Sequence, residues 1–174
     1  MFLERHGKMK IEFGGGNNPK RPNFRQVDIR KINDDTIVCN AWEIDQQVDA
    51  NCVTEIFSRH FFEHLTFEQG ERQLQVWHKI LKPGGRCEMM LPNMVHHVHQ
   101  WIHLRNDPHA LKRAQEGFWG RQRESLTETW DIHKSGYDEE TLTALVKRFN
   151  YVDIKPLSKH TIKHKHLHLE FYKA

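Results

Sequence analysis

Three glycines near the start of the chain have the residue types of a nucleoside-binding loop. Residues 14–16 are all glycine and directly follow Met9–Phe13, a short apolar run that predicts a β-strand. Glycines at this place let the backbone approach a ligand where any Cβ would collide. Asp28 ends the next predicted strand, Arg25–Asp28, and its carboxylate can accept hydrogen bonds from both hydroxyls of a ribose. The pattern therefore predicts a nucleoside-binding crevice.

Two kinds of nucleoside ligand are usual for such a loop, a dinucleotide and S-adenosylmethionine. A dinucleotide site has the pattern G-x-G-x-x-G, a helix directly behind it and an acidic residue about 20 residues further on. Here Pro19 stands where the third glycine should be, and Asp28 follows too early. The residues therefore favour a ligand without phosphates.

Composition sets few limits on function. The 174 residues predict a tail at 1–8 and one domain at 9–174, and the net charge of +3 does not by itself call for nucleic acid. The three cysteines form no C-x-x-C pair, which argues against a disulfide scaffold or a cysteine zinc site. No apolar run approaches the length of a membrane span, so we expect a cytoplasmic protein without membrane contact.

Strand-like and helix-like segments alternate along the chain, which predicts an α/β domain with a mostly parallel sheet. The clearest helices are predicted at 67–81 and 139–149, and a further helix is expected to carry His96, His97, His99 and His103. The last two strands are expected to form an antiparallel hairpin. The strands are predicted at 9–13, 25–28, 36–39, 53–58, 86–91, 151–155 and 165–172. The first three connections are close to or below the length of a helical crossover. We therefore expect the flank of the sheet at 29–49 to be covered by loops or by a second copy of the chain. Association of two copies through this flank would give a homodimer, which we predict.

Five segments, in this order, resemble the motifs of class I S-adenosylmethionine-dependent methyltransferases, in particular a compact group with abbreviated early helices. The resemblance covers residues 10–171. The segments are Glu12-Phe13-Gly14-Gly15-Gly16, Val27-Asp28-Ile29, the stretch from Glu55 to Leu65, Leu81-Lys82-Pro83-Gly84-Gly85-Arg86 and Leu91-Pro92-Asn93. The resemblance implies a Rossmann-like fold with early crossover helices short or absent. It also implies S-adenosylmethionine as cofactor, with S-adenosylhomocysteine as product.

The same resemblance implies which residues hold the cofactor. Asn40 stands where the family often has an aspartate that accepts a hydrogen bond from the adenine amino group, and an amide oxygen can accept the same bond. Glu12 is expected to orient the glycine loop or a water molecule below the amino group of the cofactor. The predicted cofactor contacts are Glu12, Phe13, Gly14, Gly15, Gly16, Asp28, Asn40, Ala41, Ser58 and His60.

Residues 93–137 resemble the insertion that closes over the acceptor in this group. His133 is the preferred candidate for a general base, because its pKa lies near neutral pH, and His60 is the alternative. His133 alternatively bridges the insertion to the core. The predicted substrate contacts are Arg59, Arg121, Gln122 and His133.

Histidine patterns raise the question of a metal site. His60 to His64 read H-x-x-E-H, a zinc signature in which two histidines one helical turn apart share a metal with a distant third ligand. His164, His166, His168 and Glu170 alternate on one face of the last predicted strand, which is more often a solvated face than a metal site. The methyltransferase resemblance already accounts for the first pattern, so no metal is predicted.

The segment after the fourth predicted strand bears on the acceptor. It reads Ser58-Arg59-His60-Phe61 and lacks the [D/N]-P-P-[Y/F] arrangement of enzymes that methylate amino groups of nucleic acid. We therefore expect a hydroxyl of a small molecule or saccharide as acceptor. A nucleic-acid methyltransferase stays an alternative, with phosphate contacts from Lys20, Arg21, Arg25, Arg30 and Lys31. A non-catalytic domain that binds the cofactor or a partner is a further alternative.

Overall fold

The computed structural model describes residues 9–122, 129 and 131–174. The tail predicted at 1–8 and Trp130 of the predicted insertion lie outside these residues. Within the part of the chain that the structure describes, no helix is both long and apolar enough to span a membrane.

The described residues form a seven-stranded sheet. Its strands are β1 Met9–Phe13, β2 Arg25–Asp28, β3 Ile37–Val38, β4 Val53–Arg59, β5 Leu81–Pro92, β6 Tyr151–Pro156 and β7 His166–Lys173. The strand order is β3-β2-β1-β4-β5-β7-β6; the first five strands are parallel, and β7 is antiparallel to both of its neighbours. The predicted Rossmann-like sheet with an antiparallel C-terminal hairpin is confirmed.

Four α-helices accompany the sheet in the part of the chain that the structure describes. They are α1 Phe67–Ile80, α2 Met94–His103, α3 Pro108–Trp119 and α4 Glu139–Arg148. Among the first three connections, only the third is helical, through the short 3₁₀ helix Ala41–Gln46. The prediction of short or absent early crossover helices is therefore confirmed.

Helix α1 connects the core to the site. It begins with a reciprocal capping box, in which Thr66 accepts a hydrogen bond from the backbone of Gln69 and the Gln69 side chain accepts one from the backbone of Thr66. Trp77 of this helix is fully buried, and its ring lies 5.1 Å from that of Phe13 and 6.0 Å from that of Phe62. Trp77 thereby packs the end of β1 against the segment that follows β4.

The predicted loop-covered flank is largely closed by its own residues. Ala41 and Ile44 of the 3₁₀ helix are buried, and Gln73 of α1 donates a hydrogen bond of 3.1 Å to the carbonyl of Ala41. Ile29 and Val38 stay 43% exposed and are the large apolar side chains that the flank presents to solvent. The homodimer stays a prediction, and its interface would have to include these two residues.

We predict that light scattering at high protein concentration finds a dimer and that Val38→Glu shifts it to monomer, because a buried charge without a partner opposes association. Val152→Glu is the matched control, since Val152 is equally exposed at 43% on β6, the opposite edge of the sheet. A wild-type protein that stays monomeric at all concentrations would contradict the dimer.

Candidate functional site

Glu12 organises the glycine loop at the end of β1. Its fully buried carboxylate accepts hydrogen bonds from the backbone N–H of Lys20, at 2.9 and 3.1 Å, and of Arg21, at 3.0 Å. These bonds tie residues 20 and 21 back to the strand and so close the loop between them. The role of Glu12 in cofactor binding stays a prediction.

Gly14 brings the loop against the end of β4. Its φ is +80°, and a Cβ at this position would lie 2.2 Å from the carbonyl oxygen of Arg59. Only glycine permits this approach. Register agrees with it, since Phe13 pairs with Ser58 in the parallel β1–β4 ladder. The loop after β1 and the segment after β4 therefore meet at one edge of the sheet, where the carboxyl ends of parallel strands lie together.

Two polar side chains in the sheet beside this loop are buried without partners. Neither amide atom of Gln26 nor the hydroxyl of Ser58 makes a hydrogen bond to any residue that the structure describes. Gln26 Nε2 lies 3.1 Å from the position that a Cβ on Gly15 would occupy. Because buried polar groups are nearly always paired, these atoms fit a crevice that a polar ligand completes. Ser58 is among the residues predicted from the sequence, whereas Gln26 is not, although it stands in the same strand as Asp28.

Asp28 lies where the ribose-binding carboxylate was predicted, at the end of β2. Its Oδ1 accepts hydrogen bonds from the backbone N–H of Arg30, at 2.9 Å, and from Arg30 Nε, at 3.1 Å. The Arg30 side chain is 60% exposed, so it can move aside at little cost when a diol binds.

Four further residues were predicted to contact the cofactor: Asn40, Ala41, Gly16 and Phe13. Asn40 precedes the 3₁₀ helix and donates through Nδ2 to Glu43 at 3.0 Å, which leaves its amide oxygen as the acceptor that an adenine amino group requires. Ala41 is buried beside it, and Gly16, with φ of +50°, has open space around the position of a Cβ. Phe13 is fully buried among core aromatic rings, so its side chain serves the core.

A cavity of about 530 Å³ adjoins the ends of β4 and β5. It brings together four residues predicted as substrate or catalytic groups, Arg59, His60, Arg121 and His133. The other residues that line it are Glu63, His64, Pro92, His96, His97, Arg113, Glu116, Gly117, Gly120, Asp131, Lys165 and His166. Gln122 lies elsewhere, in an adjoining cavity that it shares with Trp119 and Arg121. The structure thus separates Gln122 from Arg59 and His133, whereas Arg121 lines both cavities.

His133 is held in one tautomer inside this cavity. Its Nδ1–H donates a hydrogen bond of 2.9 Å to the carbonyl of Gly117, so the unprotonated nitrogen is Nε2. Burial lowers the pKa of His133 below its ordinary value, against an opposing effect of the Gly117 bond. The ring is therefore neutral near pH 7 and can accept a proton at Nε2.

His60, directly after β4, has a left-handed backbone conformation that the sequence does not predict. Its φ is +47°, and the following 3₁₀ helix covers only Phe62–His64. His60 and His64 therefore do not lie one turn apart on a shared helix, which is the arrangement that the zinc signature requires. His60 Nδ1 lies 3.1 Å from Glu63 Oε1, and its ring lies 4.8 Å from that of His166. Burial, followed by the charge of His60, lowers the pKa of His166 to about 4.

Helix α2 presents two of its histidines to this site and two elsewhere. His96 and His97 are buried and line the cavity, whereas His99 and His103 do not line it. Burial and the neighbouring His96 lower the pKa of His97 to about 4. Arg113, Glu116 and Lys165 also line the cavity, although no sequence pattern pointed to them. They reach it because α2 packs on α3 and the segment before β7 returns beside them.

Comparisons with solved structures show that the fold of this chain is similar to that of methyltransferases. No protein-family model matches the sequence, and no curated protein matches it. Among solved structures, a SAM-dependent methyltransferase from Archaeoglobus fulgidus is similar with a TM-score of 0.65 and 15% identity, over 97% of this chain and 87% of the other.

Two further solved structures show the same fold. A SAM-dependent methyltransferase from Thermotoga maritima, described as a possible histamine N-methyltransferase, has a TM-score of 0.61 and 11% identity, over 97% of this chain and 83% of that one. Phosphoethanolamine N-methyltransferase 2 from Haemonchus contortus, in complex with phosphomonomethylethanolamine and S-adenosylhomocysteine, has a TM-score of 0.54 and 17% identity. The match covers 88% of this chain and 35% of the Haemonchus chain.

The chain therefore has the fold of class I S-adenosylmethionine-dependent methyltransferases. The resemblance drawn from its sequence motifs agrees with this fold.

Proposed function

We propose that this protein is a methyltransferase that binds S-adenosylmethionine at the glycine loop and transfers its methyl group to a hydroxyl of a small molecule or saccharide. The observation that carries the proposal is the contact between the loop and the end of β4. A Cβ on Gly14 would meet the carbonyl of Arg59, and Arg59 and His60 already line the cavity. A cofactor in the crevice and an acceptor in the cavity would therefore be neighbours.

Two buried groups and a carboxylate would hold the cofactor. Gln26 and Ser58 offer unpaired polar atoms beside the loop, and Asp28 offers its carboxylate to the ribose diol. When bound, S-adenosylmethionine supplies a methyl group on a positively charged sulfur. Since transfer is an in-line displacement, positioning of the acceptor accounts for most of the rate.

The cavity also supplies a proton acceptor. Nε2 of His133 is unprotonated and lies in the cavity, so it can take the proton of an acceptor hydroxyl. His60 is the alternative base, because it lines the same cavity and directly follows Arg59, whose carbonyl meets the glycine loop. Arg59 and Arg121 are the proposed substrate contacts of the same cavity.

Charge in the cavity favours an acceptor that carries an acidic group. Four arginine and lysine side chains line it against three carboxylates, and one of these carboxylates, Glu63, is only 1% exposed. Arginine in such a setting pairs with phosphate or carboxylate. The Haemonchus enzyme, whose ligand is a phosphate ester, gives a precedent for such an acceptor on this fold.

The nucleic-acid alternative has less support. Most of the basic residues that would contact phosphates are paired within the chain. Arg21 binds Glu88, Arg30 binds Asp28, and Lys31 lies 2.8 Å from Asp34. Paired cations release fewer counterions and contribute less to nucleic-acid affinity. A non-catalytic cofactor-binding domain is favoured only if no acceptor is found.

The proposal is tested by incubating the protein with S-adenosylmethionine labelled in its methyl group and a panel of acceptors. The panel holds phosphorylated and carboxylated sugars, their neutral parents, small amines and oligonucleotides. We expect label on an oxygen of an anionic small molecule or saccharide. Label found only on amines or nucleic acid would refute the acceptor, and cofactor binding without transfer to any acceptor would favour the non-catalytic alternative.

A further inference from the structure

We propose that Glu63, His64 and His133 form a binding site for a divalent transition-metal ion. One donor atom from each of the three side chains lies within 4.8 Å of the others. Zinc takes histidine nitrogen at about 2.0–2.1 Å and carboxylate oxygen at about 2.0–2.2 Å, so small side-chain rotations bring all three donors onto one ion. Imidazole together with carboxylate suits zinc, iron, cobalt and nickel.

The buried carboxylate of Glu63 would be stabilised by a cation. The residue is 1% exposed, and its Oε1 lies 3.1 Å from His60 Nδ1. Its Oε2 is buried and makes no hydrogen bond to any residue that the structure describes. Burial of a carboxylate oxygen without a partner costs free energy, which coordination to a metal ion would offset.

Both histidines are oriented as metal ligands usually are. His64 Nδ1–H donates to the carbonyl of Ile132 at 3.1 Å, and His133 Nδ1–H donates to that of Gly117 at 2.9 Å. In metal sites this second hydrogen bond fixes the tautomer and leaves Nε2 as the ligand. The two rings meet edge to face with their centroids 5.1 Å apart. The Nε2 lone pairs are therefore the ones left for a shared ion.

The backbone holds the two ligand-bearing segments together. Glu63 and His64 belong to the 3₁₀ helix after β4, whereas His133 lies in the segment that leads to α4. The backbone N–H groups of Lys134 and Ser135 donate to the carbonyl of Glu63 at 2.8 and 3.1 Å. Such support keeps a site pre-organised before its ligand binds.

The role of this ion in catalysis rests on the proposed function. Two imidazoles and one carboxylate leave coordination positions open to the cavity, where an acceptor hydroxyl could bind. An ion there would lower the pKa of that hydroxyl, as zinc lowers the pKa of water from 15.7 to about 7. The hydroxyl proton would pass to Nε2 of His60, because His133 cannot bind the ion and accept a proton with the same nitrogen. The new C–O bond would form as the S–CH₃ bond breaks, with its electron pair staying on sulfur.

The site is tested by titrating Co²⁺ into the metal-free full chain, followed by calorimetry and by visible absorption of the cobalt. We expect one preferred site, and we expect Glu63→Gln and His64→Ala each to weaken Co²⁺ affinity by roughly tenfold or more. His103→Ala is the control, since His103 and His99 form an alternative pair on α2, with ring centroids 4.9 Å apart. This control should bind Co²⁺ like the wild type.

Three results would overturn the site: no Co²⁺ binding, wild-type affinity in both ligand variants, or a loss of affinity in His103→Ala instead. Thermal unfolding of each metal-free variant establishes that it is folded, and Glu63→Gln keeps the shape of the side chain. Titration of S-adenosylhomocysteine into the metal-free wild type is the separate readout for the proposed function. Binding of this ligand without Co²⁺ binding would refute the metal site alone.

Discussion

His133→Ala is expected to slow methyl transfer by on the order of 10²–10⁴, the usual contribution of a positioned general base, with cofactor affinity unchanged. The reason is that His133 holds Nε2 unprotonated inside the acceptor cavity through the bond from its Nδ1–H to Gly117. His133 lines the cavity proposed for the acceptor and is not part of the glycine loop, so its loss should leave the cofactor crevice intact. The measurement is the turnover rate with the best acceptor, together with calorimetry of S-adenosylhomocysteine.

His60→Ala should act less strongly, and His103→Ala, which removes an exposed histidine outside the cavity, should keep the wild-type rate. A wild-type turnover rate in both His133→Ala and His60→Ala would show that neither histidine takes part in catalysis. The rate loss follows whether His133 takes the proton or binds a metal ion. The Co²⁺ titration separates these roles, because only a metal ligand changes cobalt affinity.

Asp28→Ala is expected to weaken binding of S-adenosylmethionine by roughly 10- to 100-fold, because hydrogen bonds to a charged group contribute about 1.5–3 kcal/mol. The structure places this carboxylate at the end of β2, beside the glycine loop. Its pairing with Arg30 is a surface interaction, so its removal should change the free energy of unfolding little. Calorimetry with S-adenosylhomocysteine measures the effect.

Asp34→Ala is the matched control for Asp28. It removes an exposed carboxylate six residues further along the chain, one that is paired with Lys31. Equal affinity of Asp28→Ala and Asp34→Ala for S-adenosylhomocysteine would show that Asp28 does not bind the ligand. Gly14 is a poorer probe, because a Cβ there would collide with the backbone of Arg59 and so disturb the protein before any ligand binds.

The sheet could be predicted from the sequence because its signals are local. The apolar runs of β1 and β4 are short-range patterns. Each strand was predicted to within a few residues, apart from an early start of β5 at Leu81. The glycine loop was predicted for the same reason. Helix α3 was not predicted, although Asp107 and Pro108 stand at its start as N-cap and first residue, because the whole insertion was interpreted as a lid.

The residues that line the cavity at the ends of β4 and β5 could be predicted only in part, because their positions depend on tertiary packing. Arg113 reaches the cavity through the packing of α3 on α2, and Lys165 through the return of the chain to β7. The left-handed conformation of His60 likewise has no sequence signal, since φ values of this sign are rare for residues other than glycine. His133, the third residue of the proposed metal site, stands 69 residues beyond His64, so no short motif could include it.

Calorimetric titration of S-adenosylhomocysteine into the wild-type protein tests the central claim most directly, because every proposed step requires this crevice to be occupied. The glycine loop closed by Glu12, the unpaired atoms of Gln26 and Ser58, and the carboxylate of Asp28 together predict one site per chain. We expect a Kd of roughly 1–10 μM, about −7 to −8 kcal/mol. No heat of binding at ligand concentrations of about 1 mM, a range where even weak sites fill, would contradict the account.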